Sequence, residues 1–453
     1  MSDLEGYEES LGFVEDILDL LYKQNLDEAA VHVRSARGDQ IRFSSNKIDI
    51  ANTWLDFNAD IQLVKDRRIQ IVSVASPDID AAKLQIERAM KVIGSLPERK
   101  AYDELPEGPF SYPIIEGIYD PKLEDPGEKL SDIVTAAINS GLSSGAKKIA
   151  GSIRSGVEIS CVATTTGVKV CEKRSNVYLD IRAFVSPEST GHSFSCSRMM
   201  NEIRPEEAGR EAAEDALMSS KQVKVEPRRH DALIWYSAIG NLGGVFGSLA
   251  GAMYVMMQMS PYVSKLNEQI GSDLISIVDD PLRPGGYGSR SFDMEGYPTR
   301  RNVILEKGFL RTYLHNRLTA KAMNTNTTAN AGWVSPQPWN IVISPGDMSN
   351  DELIEELRDG LIIRNATYLR FQDYRAGDFS AIIRDGLFKV EKGEIVGSAR
   401  GLRLSDNVLR MLSNVFAVGR NSRQIYHWWM EWEVPVESPP IAVRNVGFTS
   451  ATM

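Results

Sequence analysis

Hydrophobic and polar residues in positions 1–96 follow a helical period at both ends and a strand period between them. Leu11–Leu21 and Ile79–Ile93 carry apolar residues at helical spacing, which predicts two amphipathic helices. The segments between them alternate with the two-residue period of strands. Turns are predicted at Arg37-Gly38 and Asn46-Lys47, and the predicted strands are Ala30–Val33, Ile41–Phe43, Ile48–Trp54, Phe57–Val64 and Ile69–Ser73.

The same order of elements recurs in residues 127–223. Helical spacing predicts helices at Leu130–Asn139 and Pro205–Met218. Between them, strands are predicted at Ile159–Ala163, Val168–Glu172, Val177–Val185 and His192–Cys196. The residues that separate the two series, 97–126, are rich in Pro, Glu and Tyr and are typical of a linker. The pattern predicts two similar α/β units, about 1–96 and 127–223, packed together.

The pattern changes after Pro227. Ile304–Leu310 and Lys389–Ile395 each place Gly after Lys between apolar residues, which predicts two β-hairpins. A helix is predicted at Asp351–Leu361, and Ile425–Phe448 is strand-like; the candidate caps of the helix are Asp347, Ser349 and Asn350. Together these patterns predict an α+β protein. A duplicated α/β N-terminal domain, residues 1–223, precedes a β-rich C-terminal domain with a few helices, residues 224–453.

One apolar segment is long enough to cross a membrane. Residues 232–259 contain no charged side chain, and Gly243, Gly247 and Gly251 repeat with the spacing of closely packed helices. However, polar residues interrupt the segment, and its glycines weaken it as an isolated helix. We therefore favour a strand at Ala232–Ser237 followed by a buried helix whose glycines pack on a sheet or a partner subunit, and we expect no membrane span.

The amino-acid composition excludes some classes of function for this chain. The chain has 453 residues, a net charge of −10 and three cysteines. The acidic balance argues against nucleic-acid binding, which needs a basic surface. Three cysteines are too few for a secreted disulfide scaffold. The first ten residues lack the basic and apolar parts of a secretory signal, so the expected location is the cytoplasm.

Residues Ile277–Arg301, hereafter the Gly/Pro segment, combine four glycines and three prolines with acids and arginines. Such backbone-special residues predict a loop held in one shape for function. Residues 285–288 with Arg283 and Arg290 could cradle an anion, although a rigid turn with solvated arginines is favoured. The acids are Asp279, Asp280, Asp293 and Glu295. For them, salt bridges with Arg290, Arg300 and Arg301 are favoured over a catalytic carboxylate pair.

No residue pattern predicts catalysis or a metal ligand. The five histidines lie far apart, and only His192 and Cys196 share a strand face, where a packed histidine and cysteine are favoured over a zinc site. If residues 165–167 form a three-residue loop, Cys161 faces Cys171. A disulfide and a reduced pair of thiols then remain as alternatives. The cluster of Trp428, Trp429 and Trp432 is interpreted as core or dimer interface, with positions 428 and 432 on one side of a strand.

Several motifs resemble those of the TldD/PmbA family, whose members are described as modulators of DNA gyrase or as metallopeptidases. IVDDPLRPGGYGSRSFDMEGYPTRR at 277–301 is similar to the family's most typical block, and NTNTTANAG at 324–332 and IVISPGD at 341–347 are similar to two further blocks. The resemblance covers nearly the whole chain. It implies a duplicated N-terminal domain and a β-rich C-terminal domain that dimerises, while the acidic charge gives the gyrase description no support.

The family has two kinds of subunit. TldD-type subunits carry an H-E-x-x-x-H zinc motif on a helix before the block at 277–301, and a cysteine ligand near the C-terminus. Here the matching apolar stretch has neither His nor Glu, and the last cysteine is Cys196. The resemblance therefore implies a PmbA (TldE)-type subunit with no cofactor of its own, paired with a zinc-bearing TldD-type subunit that cleaves unfolded or extended peptides.

On this interpretation the Gly/Pro segment shapes a peptide groove or a subunit interface. The residues expected there are Arg283, Gly285, Gly286, Arg290, Asp293, Glu295 and Arg300. An extended peptide would bind a strand edge, and the hairpins beside the segment are candidates for that edge. Two alternatives remain: a homodimeric peptide-binding scaffold without enzymatic activity, and an enzyme with an unrecognised site around His192 and Cys196.

Overall fold

The computed structural model describes residues 3–99 and 102–451. Its first part consists of two successive repeats, each a helix, three antiparallel strands and a second helix. The first repeat comprises α1 (Asp3–Tyr22), β1 (Glu28–Ser44), β2 (Lys47–Lys65), β3 (Arg68–Val74) and α2 (Ile79–Val92). The second comprises α3 (Lys129–Ser143), β4 (Lys148–Thr164), β5 (Lys169–Phe184), β6 (Thr190–Ser197) and α4 (Pro205–Met218). Short 3₁₀ turns lie at Ile93–Ser95, Pro121–Leu123 and Met200–Glu202.

The two repeats share one six-stranded sheet, in the order β3-β2-β1-β4-β5-β6. The repeats meet where β1 pairs antiparallel with β4. Odd-numbered residues of β1, such as Val31 and Ile41, contribute to both apolar clusters beneath the helices. Because side chains alternate along a strand, both helix pairs cover the same face of the sheet. The even-numbered residues form the opposite face, which is polar.

The second part of the chain forms two further sheets around a buried helix. The first sheet has the order β10-β9-β8-β11-β18-β17, and the second is built on β12, β7, β19, β15, β13 and β14, with β16 beside β19. The elements are β7 (Arg229–Ile234), α5 (Tyr236–Ser248), α6 (Ala252–Met256), β8 (Ile277–Asp279), β9 (Asn302–Glu306), β10 (Phe309–Leu310), α7 (Arg317–Ala322), β11 (Ile341–Ile343), α8 (Asn350–Leu357), β12 (Gly360–Asp373), β13 (Asp378–Glu391), β14 (Glu394–Ser398), β15 (Leu402–Asn407), α9 (Val408–Ser413), β16 (Val415–Val418), β17 (Arg423–Ile425), β18 (Val436–Ser438) and β19 (Ile441–Ser450). The predicted α+β class is confirmed.

Helix α5 is the buried helix predicted for the apolar segment. Every residue of α5 is buried. A Cβ atom on Gly247 would lie 2.3 Å from the Cδ1 atom of Ile341, and one on Gly243 would lie 3.0 Å from Val436. The glycines therefore let the helix lie directly on the strands β11 and β18. No helix among the described residues is long and apolar enough to cross a membrane.

The strands of the N-terminal sheet are longer than predicted. The predicted turn at Arg37-Gly38 is wrong, since β1 continues through it and β2 continues through positions 55 and 56. A glycine at position 38 is explained by packing rather than by a turn, because a Cβ atom there would lie 2.5 Å from the ring of Trp54 on β2. A glycine covered by a neighbouring aromatic ring is a known feature of sheets. The turn at Asn46-Lys47 is confirmed, with Ser45 and Asn46 at positive φ.

Several predictions for the second part are confirmed and two need correction. Both Lys-Gly hairpins form, with positive φ at Lys307 and Lys392 and at the glycines that follow. Ser349 caps α8 in a capping box with Glu352, but α8 ends at Leu357 and the next residues enter β12. Residues 426–435 are not a strand, so the predicted shared side of the tryptophans is wrong. Trp428 is half-exposed, whereas Trp432 packs on the core.

The linker is packed along the molecule. The carbonyl oxygen of Glu116 accepts a hydrogen bond from the backbone N–H of Gly285 at 2.8 Å. The hydroxyl of Tyr112 donates to the carbonyl oxygen of Gly296 at 2.9 Å. Residues 100 and 101 lie outside the described residues. The remaining linker thus connects the N-terminal repeats with the Gly/Pro segment through ordered contacts.

The predicted register of the second repeat's hairpin is confirmed. Thr164 donates its backbone N–H to the carbonyl oxygen of Val168, and Gly167 has positive φ. Cys161 lies opposite Cys171, and the two are joined by a disulfide. The open question about this pair is therefore answered by a covalent bridge between β4 and β5.

Candidate functional site

The Gly/Pro segment crosses from the second part of the molecule to the second repeat. At Gly288 a Cβ atom would lie 2.0 Å from the carbonyl oxygen of Trp339, so only glycine fits without a backbone shift. At Gly296, φ is +84° and a Cβ atom would lie 2.5 Å from Val168 of the second repeat. The glycines therefore serve close approach of the segment to its neighbours.

The backbone of residues 285–288 offers no anion cradle. All four N–H groups donate to protein acceptors at 2.6–3.2 Å. These acceptors are, in chain order, the carbonyl oxygens of Glu116 and Arg283 and the side-chain oxygens of Gln424 and Asn340. A backbone cradle needs free donors, so the hypothesis of anion binding by these N–H groups is wrong.

The three candidate arginines of the segment have different surroundings. Arg283 forms a two-bond ion pair with Glu437 of β18. Arg300 is exposed. Arg290 instead points inward, with its guanidinium carbon 4.0 Å from the ring centroid of Trp339. Solvated side chains were expected for Arg283 and Arg290, but Arg283 is ion-paired and Arg290 lies against an indole ring. Arg300, for which a salt bridge was expected, is exposed.

The acids of the segment stabilise its shape. Asp279 accepts the backbone N–H groups of Trp339 and Asn340 at 2.8 Å, and the side chain of Asn330 at 2.6 Å. Burial raises the pKa of the Asp279 carboxyl to about 6, against the effect of these hydrogen bonds. Its role is that of a buried backbone acceptor. Of the arginines predicted as partners, only Arg301 lies near one of these acids, 3.9 Å from Asp280.

Asp293 and Glu295 form the second acidic pair. Asp293 accepts the N–H groups of Tyr297 at 3.0 Å and Ala331 at 3.1 Å. Glu295 lies 3.4 Å from the guanidinium of Arg317, which is buried. Burial raises the pKa of both carboxyls. The charge of Glu295 raises the pKa of Asp293 further, whereas Arg317 acts to lower the pKa of Glu295. These residues hold the segment to α7.

The polar face of the N-terminal sheet lies beneath the second part of the chain. Even-numbered residues of β5 and β6 place Asp180 and His192 there, with Asp180 Oδ2 3.1 Å from His192 Nε2. His427, from the segment after β17, lies with its ring centroid 5.4 Å from that of His192. On its other side, His427 Nε2 lies 3.0 Å from the hydroxyl of Ser237 on α5.

Asp180, His192 and His427 are a group of potential metal ligands, with ligand atoms within 4.8 Å of one another. Their hydrogen bonds do not fit a zinc ion. His427 Nδ1 accepts the backbone N–H of Trp429, so its Nε2 carries the proton that Ser237 accepts. His427 then has no free lone pair, and zinc needs a deprotonated nitrogen.

Burial and the nearby His192 together lower the pKa of His427 to about 3, so the ring is neutral. Helix α5 adds no ligand, since it contains no His, Cys, Asp or Glu. In place of such a ligand, Asn241 donates to the carbonyl oxygens of Ala366 and Trp429, and accepts the N–H of Glu431. The junction of α5 with the 427–431 segment is thus hydrogen-bonded throughout.

Cys196 does not act with His192. His192 turns to Asp180, while burial raises the pKa of the Cys196 thiol to about 12. A thiol with such a pKa is not a nucleophile at neutral pH. The alternative of an enzyme centred on these two residues therefore has no geometric support.

The family of the chain follows from its sequence. Residues 227–450 match the model of the PmbA/TldA metallopeptidase C-terminal domain, and residues 119–220 match that of the central domain. The chain belongs to the PmbA/TldD metallopeptidase family. The Gly/Pro segment and both Lys-Gly hairpins lie within the first match, and the second repeat lies within the second.

Relatives in this PmbA/TldD family include a metalloprotease of Methanothermobacter thermautotrophicus, 33% identical over 48% of this chain and 49% of its own length. A metalloprotease of Methanocaldococcus jannaschii is 32% identical over 40% of this chain and 42% of its own. A Buchnera aphidicola metalloprotease named as a PmbA homologue is 28% identical over 50% and 49%. In these matches the chain spans about half the length of the curated relatives.

Solved structures share the whole fold. A Thermotoga maritima protein described as a modulator of a DNA gyrase superposes with a TM-score of 0.84, at 23% identity, over 97% of this chain and 99% of its own. TldE of Thermococcus kodakarensis superposes with a TM-score of 0.82, at 21% identity, over 98% and 99%. At these identities the likeness concerns the fold.

The sequence predicted this family but missed the polar face beneath the C-terminal half. His427 lies 235 positions after His192 in the chain, and no local pattern connects them. In β5 the even-numbered positions from Glu172 to Arg182 are polar or amphipathic, and the odd-numbered positions from Val177 to Ala183 are apolar. Such alternation is typical of a sheet with one solvated face, so this pattern did not indicate that the C-terminal half covers it.

Proposed function

We propose that this chain is the subunit without its own zinc site in a PmbA/TldD-type peptidase pair that cleaves extended or unfolded peptides in the cytoplasm. The observation that carries the proposal is the hydrogen-bonded junction between α5 and His427. In TldD-type relatives the corresponding helix is expected to supply the zinc motif. Here Ser237 and Asn241 use their polar atoms to fix the segment 427–431.

The Gly/Pro segment is proposed as part of the wall of the peptide groove or of the subunit contact. Within it, Arg300 is exposed and remains available for either role. Arg283, Asp293 and Glu295 are committed to contacts inside the chain. Gly285 brings the segment against the linker and the strand β17, and the carbonyl oxygen of Gly286 accepts a hydrogen bond from Arg198. These residues would therefore shape the surface and leave direct contact to Arg300.

We propose β2 as the strand edge that pairs with another chain. The edge beside the first Lys-Gly hairpin is occupied, because Leu310 exchanges backbone hydrogen bonds with Asn267 and Glu268. By contrast, β3 pairs only with residues 59–65 of β2. Within the described residues, positions 47–58 have no strand on the side away from β1, and the side chains of 47–56 are exposed.

This open edge carries large apolar side chains, among them Ile50 and Leu55. A long exposed edge with apolar residues favours pairing with another chain. We propose that a partner subunit covers it. A second copy of this chain could pair with the same edge, which keeps the homodimeric scaffold as the second candidate.

Metal analysis and reconstitution test the proposal. The purified chain is expected to contain no stoichiometric zinc and to leave an unfolded substrate such as reduced casein intact. Addition of a TldD-type subunit from the same genome should raise peptide cleavage above that of the TldD-type subunit alone. One zinc per chain together with cleavage by the isolated protein would overturn the proposal. A self-dimer without any effect on the zinc-bearing subunit would favour the scaffold.

A charge substitution tests the strand edge. The double variant Ile50→Lys, Leu55→Lys adds two cations to an edge whose side chains already face solvent. It should fold as the wild type and lose the complex in analytical ultracentrifugation, because a charge on the edge opposes strand pairing. Leu84→Lys, an equally exposed apolar position on α2, is the matched control. Complex formation unchanged by the double variant would exclude this edge.

A further inference from the structure

A cavity rich in arginine lies between the polar face of the N-terminal sheet and the Gly/Pro segment. Its volume is about 380 Å³. Two glutamates, Glu158 and Glu433, line it together with six arginines. The arginines are Arg34, Arg37, Arg154, Arg174, Arg198 and Arg290. Cations thus outnumber acids in the wall, in a protein whose net charge is −10.

The less exposed acid of the cavity wall, Glu158, is already paired. Glu158 forms ion pairs with Arg34 and with Arg174, both at 2.5 Å. Because these charges lie close to the carboxylate, the pKa of Glu158 falls to about 2 in spite of its burial, which alone would raise it. Glu172, just behind the wall, lies 3.5 Å from Arg174 and accepts the backbone N–H of Ser291. The charges of Glu158 and Glu172 also act on Arg198 and Arg290 from a distance, but neither carboxylate forms an ion pair with these two arginines. Glu433, the other acid of the wall, is exposed to solvent.

Three arginines of the wall, Arg154, Arg198 and Arg290, form no ion pair with a carboxylate among the described residues. Arg198 donates to the carbonyl oxygens of Ser175, Gly286 and Ser289, which carry no net charge. Arg290 has fewer partners than Arg198. Its Nε is buried without a hydrogen-bond partner, and its guanidinium lies over the ring of Trp339. Burial, reinforced by the charge of Arg174, lowers the pKa of Arg290 to about 9 and that of Arg198 to about 10.

A buried cation without a counterion is costly unless something compensates it. The face of Trp339 supplies part of that compensation, since a cation over an indole ring is stabilised by about 1–2 kcal/mol. The ring leaves the Nε–H of Arg290 unsatisfied, however. The planar fork of a guanidinium matches carboxylate and phosphate oxygens, and several forks facing one cavity are typical of sites for such groups.

We propose that this cavity binds an oxyanion, the carboxylate or phosphate group of a small ligand, with Arg290 donating to it from the Gly/Pro segment and Arg154 from the sheet. The rings of Tyr178, Tyr287 and Tyr426 line the same cavity and would pack against the rest of the ligand. The site brings the sheet and the Gly/Pro segment onto one ligand. It does not depend on pairing with a zinc-bearing subunit, so the two proposals fail separately.

Isothermal titration of the full chain with inorganic phosphate and with succinate tests the site, with sodium chloride added to keep ionic strength equal. Saturable binding of one anion per chain is expected for at least one of the two. Loss of one charged hydrogen bond in Arg290→Gln should weaken that binding by about tenfold or more. Arg311→Gln, an exposed arginine paired with Glu306 outside the cavity, should bind as the wild type.

A second variant covers the case in which Arg290→Gln fails to fold. Arg154 lies at the partly exposed wall of the cavity, so Arg154→Gln keeps the test valid.

The relative affinities of the two anions identify the source of the oxyanion. Tighter binding of phosphate indicates a phosphate ester, whereas tighter binding of succinate indicates a carboxylate. A dipeptide with a free C-terminus, compared with its amide, then identifies a peptide end. The proposal is overturned if neither anion binds saturably, or if both cavity variants bind as tightly as Arg311→Gln.

Discussion

His427 Nε2 lies 3.0 Å from the hydroxyl of Ser237, and this bond joins the C-terminal segment to the first turn of α5. Both residues are buried. Because the Nδ1 atom of the same ring accepts a backbone N–H, the ring is fixed in one tautomer. The two hydrogen bonds together fix the tautomer of the ring and the position of the chain around it.

Removal of the hydroxyl tests this bond. Ser237→Ala leaves the Nε2–H of His427 buried without an acceptor, which should cost about 1–3 kcal/mol of unfolding free energy. Urea unfolding followed by tryptophan fluorescence measures the loss. Ser143→Ala, at the exposed end of α3, is the control and should change stability by less than about 0.5 kcal/mol. Equal stability of the two variants would show that the bond contributes nothing.

A methyl group at Gly288 should be poorly tolerated. The added Cβ of Gly288→Ala would lie 2.0 Å from the carbonyl oxygen of Trp339, so the Gly/Pro segment must move. We expect a loss of at least about 1–3 kcal/mol, measured by thermal or chemical unfolding. Gly12→Ala on α1 meets no atom within 4 Å and should be neutral or stabilise by about 1 kcal/mol. A neutral Gly288→Ala would contradict the close approach.

Stability should fall in mild acid through His32. Burial lowers the pKa of His32 to about 4, below its usual 6.5. Between pH 6.5 and 4 the unfolded chain takes up a proton that the folded protein does not, so stability is lost as pH falls through this window. The contribution approaches about 3 kcal/mol at pH 4. His32→Gln should show a flatter dependence of unfolding free energy on pH, and an unchanged slope would count against this assignment.

The disulfide predicts a simple thiol count. The chain has three cysteines, of which Cys161 and Cys171 are joined. Titration of the denatured protein with a thiol reagent should find one free thiol before reduction and three after it. Three thiols in protein purified without reductant would show that the pair is open in solution.

Local patterns predicted which elements exist, and tertiary contacts decided their lengths. The helix α4 was predicted with its observed bounds, because Pro205 marks its start and apolar residues keep one spacing. By contrast, Gly38 was interpreted as a turn, since the sequence does not show that Trp54 covers it. Residues 426–435 belong to the stretch Ile425–Phe448 that was interpreted as strand-like, although their side chains serve separate contacts.

For the candidate site, the sequence located the Gly/Pro segment but not the contacts of its residues. Arg290 looked like a solvated arginine because its partner ring, Trp339, is far along the chain. Arg283 likewise pairs with Glu437, which no spacing rule connects to it. Long-range pairs of this kind are set by the packing of sheets, and a single sequence carries no record of them.

The pairing of β1 with β4 has a consequence for how this protein must be made. Fourteen residue pairs, from Ala30–Thr164 to Phe43–Gly151, join the two repeats. A repeat on its own would present that whole edge to solvent, and open edges of this length recruit other chains. Fusion in one polypeptide places the second edge within reach as soon as it is synthesised, in the manner of a tethered dimer. Within the duplicated chain, each repeat covers the strand edge of the other and thereby protects it from aggregation.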